Sequence, residues 1–109
     1  MKPKSLSEMA LADATVVDVL FHNGDLDILI RDWREHEIRL RFRGVLAFES
    51  FSIEGAEISH GTESTDDAFI ARGCELAGDD PTGYRCFALF GARDDEARMR
   101  IVARELQSD

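Results

Sequence analysis

The chain has 109 residues, of which 44% are hydrophobic, and its 22 acidic and 13 basic side chains give a net charge of −9. This length fits one domain over residues 1–109, and the hydrophobic fraction is too high for a disordered chain. The charge argues against a nucleic acid or an anionic membrane surface as a partner, because both require clustered Lys and Arg, but it permits a basic protein partner.

Compartment and redox setting follow from the same composition. No apolar segment reaches the length of a membrane helix, and the basic residues at the N-terminus are not followed by the apolar stretch of a secretory signal. We therefore expect a soluble cytoplasmic protein. The two cysteines, Cys74 and Cys86, are too few for a disulfide scaffold.

The first predicted element is a short N-terminal helix over about residues 6–13. Ser5 and Glu8 have the spacing of a capping box, in which each side chain bonds to the backbone at the other residue. A helix of this length is not stable alone, so we expect it to pack as a lid on one end of a sheet.

The next feature is a β-hairpin centred on Asn23-Gly24, the preferred pair for a two-residue type I′ turn. Such a turn fixes the register of its strands, predicted over residues 15–22 and 25–31. The facing residues are then apolar on one face of the hairpin: Phe21 with Leu26, Val19 with Ile28, and Val17 with Ile30.

A third strand is predicted over residues 37–43, and two registers keep its apolar residues on the same face. One register places Arg31 opposite Arg39, which is unfavourable because like charges repel across strands. We choose the other, because it pairs opposite charges on the outer face. Its pairs are Ile30 with Ile38, Ile28 with Leu40, Leu26 with Phe42, Arg31 with Glu37, Asp27 with Arg41, and Asp25 with Arg43.

Beyond the meander, Gly44 interrupts the alternation and predicts a bend or bulge. Residues 56–60 fit a further short strand, and residues 61–67 are polar and predict a loop. Residues 69–76 and 84–90 are predicted to form a second hairpin, closed by residues 78–83.

The second strand of that hairpin is apolar on both faces, since Phe87 and Leu89 alternate with Tyr84, Cys86 and Phe90. Such a strand is either sandwiched inside the protein or exposed at an interface. The first alternative has the C-terminal segment covering this face. The second predicts a homodimer with Phe87 and Leu89 in the interface.

Residues 96–106 fit either a helix or a strand, and we favour a strand because the second hairpin needs a pairing partner. The fold class is therefore mainly β, with a short N-terminal helix. Several short strands separated by turns predict an antiparallel β-sandwich or a flattened half-barrel.

Two segments carry a resemblance to a group of known proteins. Residues 11–17 with the following hairpin, and residues 39–45 with a Gly after a Phe, resemble small uncharacterised bacterial β-rich domains. Some of these are immunity-like proteins of polymorphic-toxin systems. The resemblance implies a β-rich fold and brings no catalytic residue with it.

The residues that carry chemistry form no known catalytic or cofactor motif. His22, His36 and His60 lack metal-ligand spacing, and the carboxylate pair Asp79-Asp80 lacks a calcium-loop pattern. There is no Gly-x-Ser-x-Gly elbow and no Gly-rich phosphate loop. We predict no enzyme activity, no cofactor and no bound metal.

Two further predictions concern cysteines and charge. Cys74 and Cys86 would face each other across the second hairpin as reduced thiols. Residues 54–80 hold eight carboxylates and one arginine, a net charge of −7 against −2 for the rest of the chain. Because projecting loops often carry binding residues, we predict a partner-binding surface that comprises Glu54, Glu57, Glu63, Asp66, Asp67, Asp79 and Asp80. The alternative is a non-catalytic small-ligand binder with an enclosed apolar cavity.

Overall fold

A computed structural model describes residues 6–91 and 96–108. These residues form eight strands, one α-helix and one 3-10 turn, and the predicted mainly-β class is confirmed. The strands are β1 (Ala14–His22), β2 (Asp25–Arg31), β3 (Glu37–Arg43), β4 (Ala47–Ser50), β5 (Glu57–Ser64), β6 (Arg85–Gly91), β7 (Met99–Ala103) and β8 (Glu105–Ser108); the helix is α1 (Ala68–Ala77).

All eight strands belong to one antiparallel sheet in the order β4-β7-β6-β5-β1-β2-β3-β8. The sheet curls on itself, because a single residue, Arg104, separates β7 from β8 while these two strands pair with opposite ends of the sheet. The Arg104 N–H donates to the carbonyl of Arg43, which extends the contact between the two ends. The predicted bend at Gly44 is present, with φ of 64°, and it lets the chain turn from β3 into β4.

The predicted register of the β1–β2–β3 meander is confirmed at its centre, where Val19 lies opposite Ile28 and Ile28 lies opposite Leu40. Asn23 and Gly24 both have positive φ, as a type I′ turn requires. The predicted cross-strand ion pairs are also present on the outer face: Arg31 with Glu37, Asp27 with Arg41, and Asp25 with Arg43.

One predicted pair is wrong. A bulge between Val16 and Asp18 shifts the register, so that Val16, and not Val17, lies opposite Ile30. A bulge adds one residue to a strand without a partner, and it places Val17 on the exposed side while Val16 is buried. Because Val16 and Val17 are adjacent and identical, the apolar pattern of the sequence does not indicate which of them lies opposite Ile30.

The N-terminal helical segment is shorter than the helix predicted over about residues 6–13. Only Leu6–Glu8 forms a 3-10 turn, and Asp13 has a positive φ of 62° that ends any helical path before β1. The predicted cap Ser5 lies outside the described residues. Leu6 and Leu11 are nevertheless both buried in the core, so the segment does cover one part of the sheet.

The largest correction concerns residues 69–76, which form the middle of helix α1 and not a strand. The helix begins with the side chain of Asp67 accepting a hydrogen bond from the Phe69 N–H, and it ends at Gly78 in the left-handed region. Both are standard helix boundaries. The predicted loop over residues 61–67 is also wrong in part, because β5 continues to Ser64. The predicted terminal strand is confirmed as β7 and β8.

Helix α1 explains why β6 is apolar on both faces. Phe87 and Leu89 point into the curl of the sheet and are fully buried, and the Phe87 ring meets that of Phe42 edge-on at 5.1 Å. The opposite face lies under α1, where Cys86 packs against Ile70. The strand is therefore sandwiched within one chain, as the first alternative predicts, and Phe87 and Leu89 are buried in the core of that chain.

Candidate interaction surfaces

The seven carboxylates of the predicted binding surface do not lie together. Glu54 and Glu57 are exposed at the start of β5, whereas Glu63 is near its end. Six residues of extended strand place Glu57 and Glu63 roughly 20 Å apart. Asp66 and Asp67 precede α1, and Asp79 with Asp80 follows it. The predicted surface is thus divided between the two ends of β5.

Glu63 has a structural role. Its carboxylate accepts a hydrogen bond from the Leu6 N–H at 2.6 Å and forms an ion pair with Arg85 at 3.0 Å, and its side chain is only 14% exposed. The first contact fastens the N-terminal turn to β5, and the second joins β5 to β6. Because the side chain is largely buried and its two oxygen atoms are engaged inside the chain, Glu63 offers little surface to a partner.

Asp66 and Asp67 also serve the fold. Asp67 caps the N-terminus of α1, accepting from the Phe69 N–H at 2.8 Å. Asp66 accepts from the Ser64 hydroxyl in the same turn, but its side chain stays exposed. A cap of this kind stabilises a helix by about 0.5–2 kcal/mol. Neutralising Glu63 and Asp67 would therefore disturb the fold as well as the charge.

The loop after α1 is held by a cluster of polar side chains. The Tyr84 hydroxyl donates to Asp79 at 2.8 Å, and the Arg104 guanidinium stacks over the Tyr84 ring and donates to its hydroxyl. The hydrogen bond from Tyr84 lowers the pKa of Asp79, and bonds from Thr82 lower the pKa of Asp80. Both carboxylates therefore stay charged at neutral pH.

The exposed face of α1 stands beside these carboxylates. Leu76 is 80% exposed, the highest value among the exposed large hydrophobic residues in the described part of the chain. Glu75 precedes it on the same helix, and Asp79 and Asp80 follow in the loop. We call this group, Glu75, Leu76, Asp79 and Asp80, the α1 face. Leu76 is thus flanked along the chain by one exposed acidic residue before it and two after it.

The two cysteines share the apolar cluster beneath α1 as free thiols, but not as the predicted cross-strand pair, since Cys74 is on the helix and Cys86 on β6. Burial raises the pKa of Cys86 to about 12, with a further contribution from Asp67. The pKa of Cys74 is also raised, first by burial and then by Asp79. Neither thiol is a ready nucleophile.

These shifts predict slow modification of the folded protein. With iodoacetamide at pH 8, we expect both thiols to react at least about tenfold more slowly than a peptide cysteine, since little thiolate is present and both side chains are buried. Intact-mass analysis checks the rate. After unfolding without reductant, both cysteines should label; a disulfide mass would contradict the predicted reduced state.

A groove beside the N-terminus of α1 is lined by charges of both signs. Its volume is about 330 Å³, and Phe69 and Arg72 of the helix face Glu49 and Arg100 of the sheet. Glu49 and Arg100 form an ion pair at 2.9 Å. The capping carboxylate of Asp67 also lines the groove. The groove therefore presents both acidic and basic side chains to a ligand, with neither sign of charge dominant.

A second shallow region lies on the outer face of the meander. One groove of about 290 Å³ is lined by Leu20, His22 and Asp25 among others, and an adjoining groove by Asp18 and Leu29 among others. Leu20 lies between the two grooves and is 56% exposed. On this face the leucine side chains of Leu20 and Leu29 lie among carboxylates and the imidazole of His22.

The three histidines are separate in the structure. His60 stacks on Phe90 with ring centroids 4.7 Å apart, His36 lies beside Asp32, and His22 ends β1. Within residues 6–91 and 96–108, no group of three or more His, Cys, Asp or Glu side chains is arranged to hold a metal ion. In the same part of the chain no helix has the length and apolarity to cross a membrane.

Comparison with known proteins adds no family to these observations. The chain matches no protein-family model, no curated protein and no solved structure.

Proposed function

We propose that the protein is a non-catalytic binding module for a basic protein partner, and that the α1 face is its contact surface. The observation that carries the proposal is the placement of Leu76, 80% exposed, among the carboxylates of Glu75, Asp79 and Asp80. An apolar anchor with a charged rim is a common arrangement in protein interfaces. The complementary surface would offer an apolar pocket surrounded by Lys and Arg.

The charge distribution supports this choice of partner. Glu75, Asp79 and Asp80 lie within six consecutive residues that include no Lys or Arg, in a chain whose net charge is −9. A strongly acidic surface accelerates encounter with a basic protein, and the effect weakens as salt is added. The resemblance to immunity-like proteins points in the same direction, because a protein of that kind acts by capturing another protein. Location in the cytoplasm belongs to the same proposal.

Two features support binding over catalysis or ligand storage. The thiols have raised pKa values, and Glu63 and Asp67 are committed to contacts within the fold. A small-ligand binder would need an enclosed apolar cavity, whereas the inside of the curled sheet is packed with side chains such as Phe42 and Phe87.

The test compares two variants that lose the same charge at different places. Glu75→Gln with Asp80→Asn neutralises the α1 face, while Glu54→Gln with Glu57→Gln neutralises the remote start of β5. In pull-downs from the native host, we expect the first variant to lose most of the captured partner and the second to retain it. Rim charges act mainly through the association rate, so the difference should be largest at low salt.

Leu76→Ala supplies an independent arm, because truncating a central anchor costs about 2 kcal/mol or more of binding free energy. Leu76 is so exposed that the variant should unfold at the wild-type temperature, which circular dichroism checks. If both α1-face variants capture the same partners at the same salt tolerance as the wild type, the acidic segment is only a solvated surface.

A further inference from the structure

The second half of strand β1 is paired along one side only. β2 pairs with it as far as His22, whereas β5 pairs with only Ala14 and Thr15 on the other side. The loop before β5 adds two bonds at Val16. From Val19 onward, no backbone hydrogen bond among the described residues reaches this second side.

The register fixes which backbone groups are available there. Residues that flank a two-residue turn form a hydrogen-bonded pair, so His22 and Asp25 exchange backbone bonds and the pattern alternates back along β1. Val19 and Phe21 therefore direct their N–H and C=O groups away from β2. In the single chain the Val19 N–H donates a hydrogen bond to the Asp18 carboxylate at 3.0 Å.

Exposed apolar side chains are concentrated around the same edge. Of the seven large hydrophobic residues exposed in the described part of the chain, three lie on β1, namely Val17, Leu20 and Phe21, and a fourth, Phe48 of β4, contacts Phe21. The rings of Phe21 and Phe48 are 5.2 Å apart. Such a concentration next to unpaired strand groups is typical of a site that takes up another strand.

We propose that this edge binds the same edge of a second copy of the chain, with the twofold axis at Leu20. In that register Val19 lies opposite Phe21 of the second copy, and the two symmetric pairs supply four backbone hydrogen bonds. Leu20 then forms a non-hydrogen-bonded pair with Leu20 of the second copy, and the two leucine side chains approach each other closely on the outer face of the sheet.

Charge complementarity favours a second copy as the occupant. Asp18 and His22 lie two residues on either side of Leu20 and share its face. The twofold axis therefore places the Asp18 carboxylate of each copy opposite the His22 imidazole of the other, so the dimer contains two such pairs. Self-complementary patches of this kind are what a twofold interface requires. Asp18 would exchange its bond to the Val19 N–H for the imidazole, while that N–H bonds to the carbonyl of Phe21 in the second copy.

Cysteine cross-linking tests the register directly. Non-hydrogen-bonded antiparallel partners have Cα atoms about 4.5 Å apart, within the range that a disulfide spans. Leu20→Cys should therefore form a covalent dimer under mild oxidation. Leu29→Cys is the matched control, because Leu29 lies on the same face but on β2, away from the axis. The native cysteines Cys74 and Cys86 are buried and present in both variants, so they do not account for a difference between the two.

We expect the Leu20→Cys protein to dimerise at least about tenfold faster than the control, because the axis holds its thiols at high effective concentration. Equal rates for the two variants would overturn the proposal.

A charge exchange tests the same register without a covalent bond. Asp18→Lys places Lys opposite His22 of the second copy and should raise the Kd of the dimer several-fold, measured by sedimentation velocity at micromolar concentrations. Adding His22→Glu restores opposite charges and should return the Kd to within about threefold of the wild type.

Circular dichroism confirms that each variant is folded. A wild-type protein that stays monomeric at high micromolar concentration, or a double variant no better than Asp18→Lys, would show that the bulge and Asp18 only protect the edge.

Discussion

Replacing Phe87 by alanine is expected to lower the free energy of unfolding by about 3–5 kcal/mol, the usual cost of removing a buried phenylalanine. Its ring is fully buried in the main core and packs edge-on against Phe42 at 5.1 Å. The side chain of Arg85 covers the ring from another side, with its guanidinium carbon 5.2 Å from the ring centroid. Urea unfolding followed by circular dichroism measures the change.

Phe51→Ala is the matched control for this variant, because it removes the same side chain from an exposed position. Its free energy of unfolding should change by less than about 1 kcal/mol. The pair also separates the two interpretations of β6. If Phe87 were an interface residue, its loss would weaken association and leave the single chain as stable as the control.

Gly61→Ala is expected to destabilise the protein by about 1–3 kcal/mol, although it adds only one methyl group. A Cβ atom at this position would lie 2.6 Å from the Leu6 Cγ and about as close to both Leu6 methyl groups, at 3.0 and 3.1 Å. Leu6 is fully buried and its backbone N–H is bonded to Glu63, so it has little freedom to move away. Thermal unfolding measures the loss.

The double variant with Leu6→Ala identifies the cause. If the steric contact carries the effect, Gly61→Ala should cost much less when Leu6 has already been truncated, which gives a coupling of about 1 kcal/mol or more. Additive losses would place the cause elsewhere, for example in the backbone conformation at residue 61.

The meander was predictable because its signals are local and agree with each other. The Asn23-Gly24 turn sets the register, and the opposite charges of Asp27 and Arg41 select the same pairing as the apolar face. Turn chemistry and cross-strand charge act over a few residues, so a single sequence contains both.

Helix α1 was missed although its boundary residues are in the sequence. Asp67 and Gly78 bracket the segment as helix caps do, and Ile70 and Cys74 are four residues apart on its buried side. A short apolar segment fits both periodicities. What selects the helix is the sheet surface under it, formed by residues such as Val102 that lie far along the chain.

The candidate site shows the same limit. Glu63 reads as one more surface carboxylate until the fold brings it to the N–H of Leu6, 57 positions away, and to Arg85. Composition shows how many acidic residues a segment holds. Which of them are available to a partner depends on contacts between distant residues.

The pairing of β3 with β8 also governs how the protein is made. Arg43 and Gln107 contact each other although they are 64 positions apart, and a ribosome adding about 5–20 residues per second needs on the order of several seconds to cover that span. Throughout this interval the residues of the meander have been synthesised, but the strand that pairs with the far side of β3 has not. Leu40 and Phe42 are buried in the folded protein, but their partners on β8, Ser108 and Leu106, are absent during this interval. The nascent chain is therefore open to chaperones, and to aggregation, at the edge of β3 that β8 later occupies.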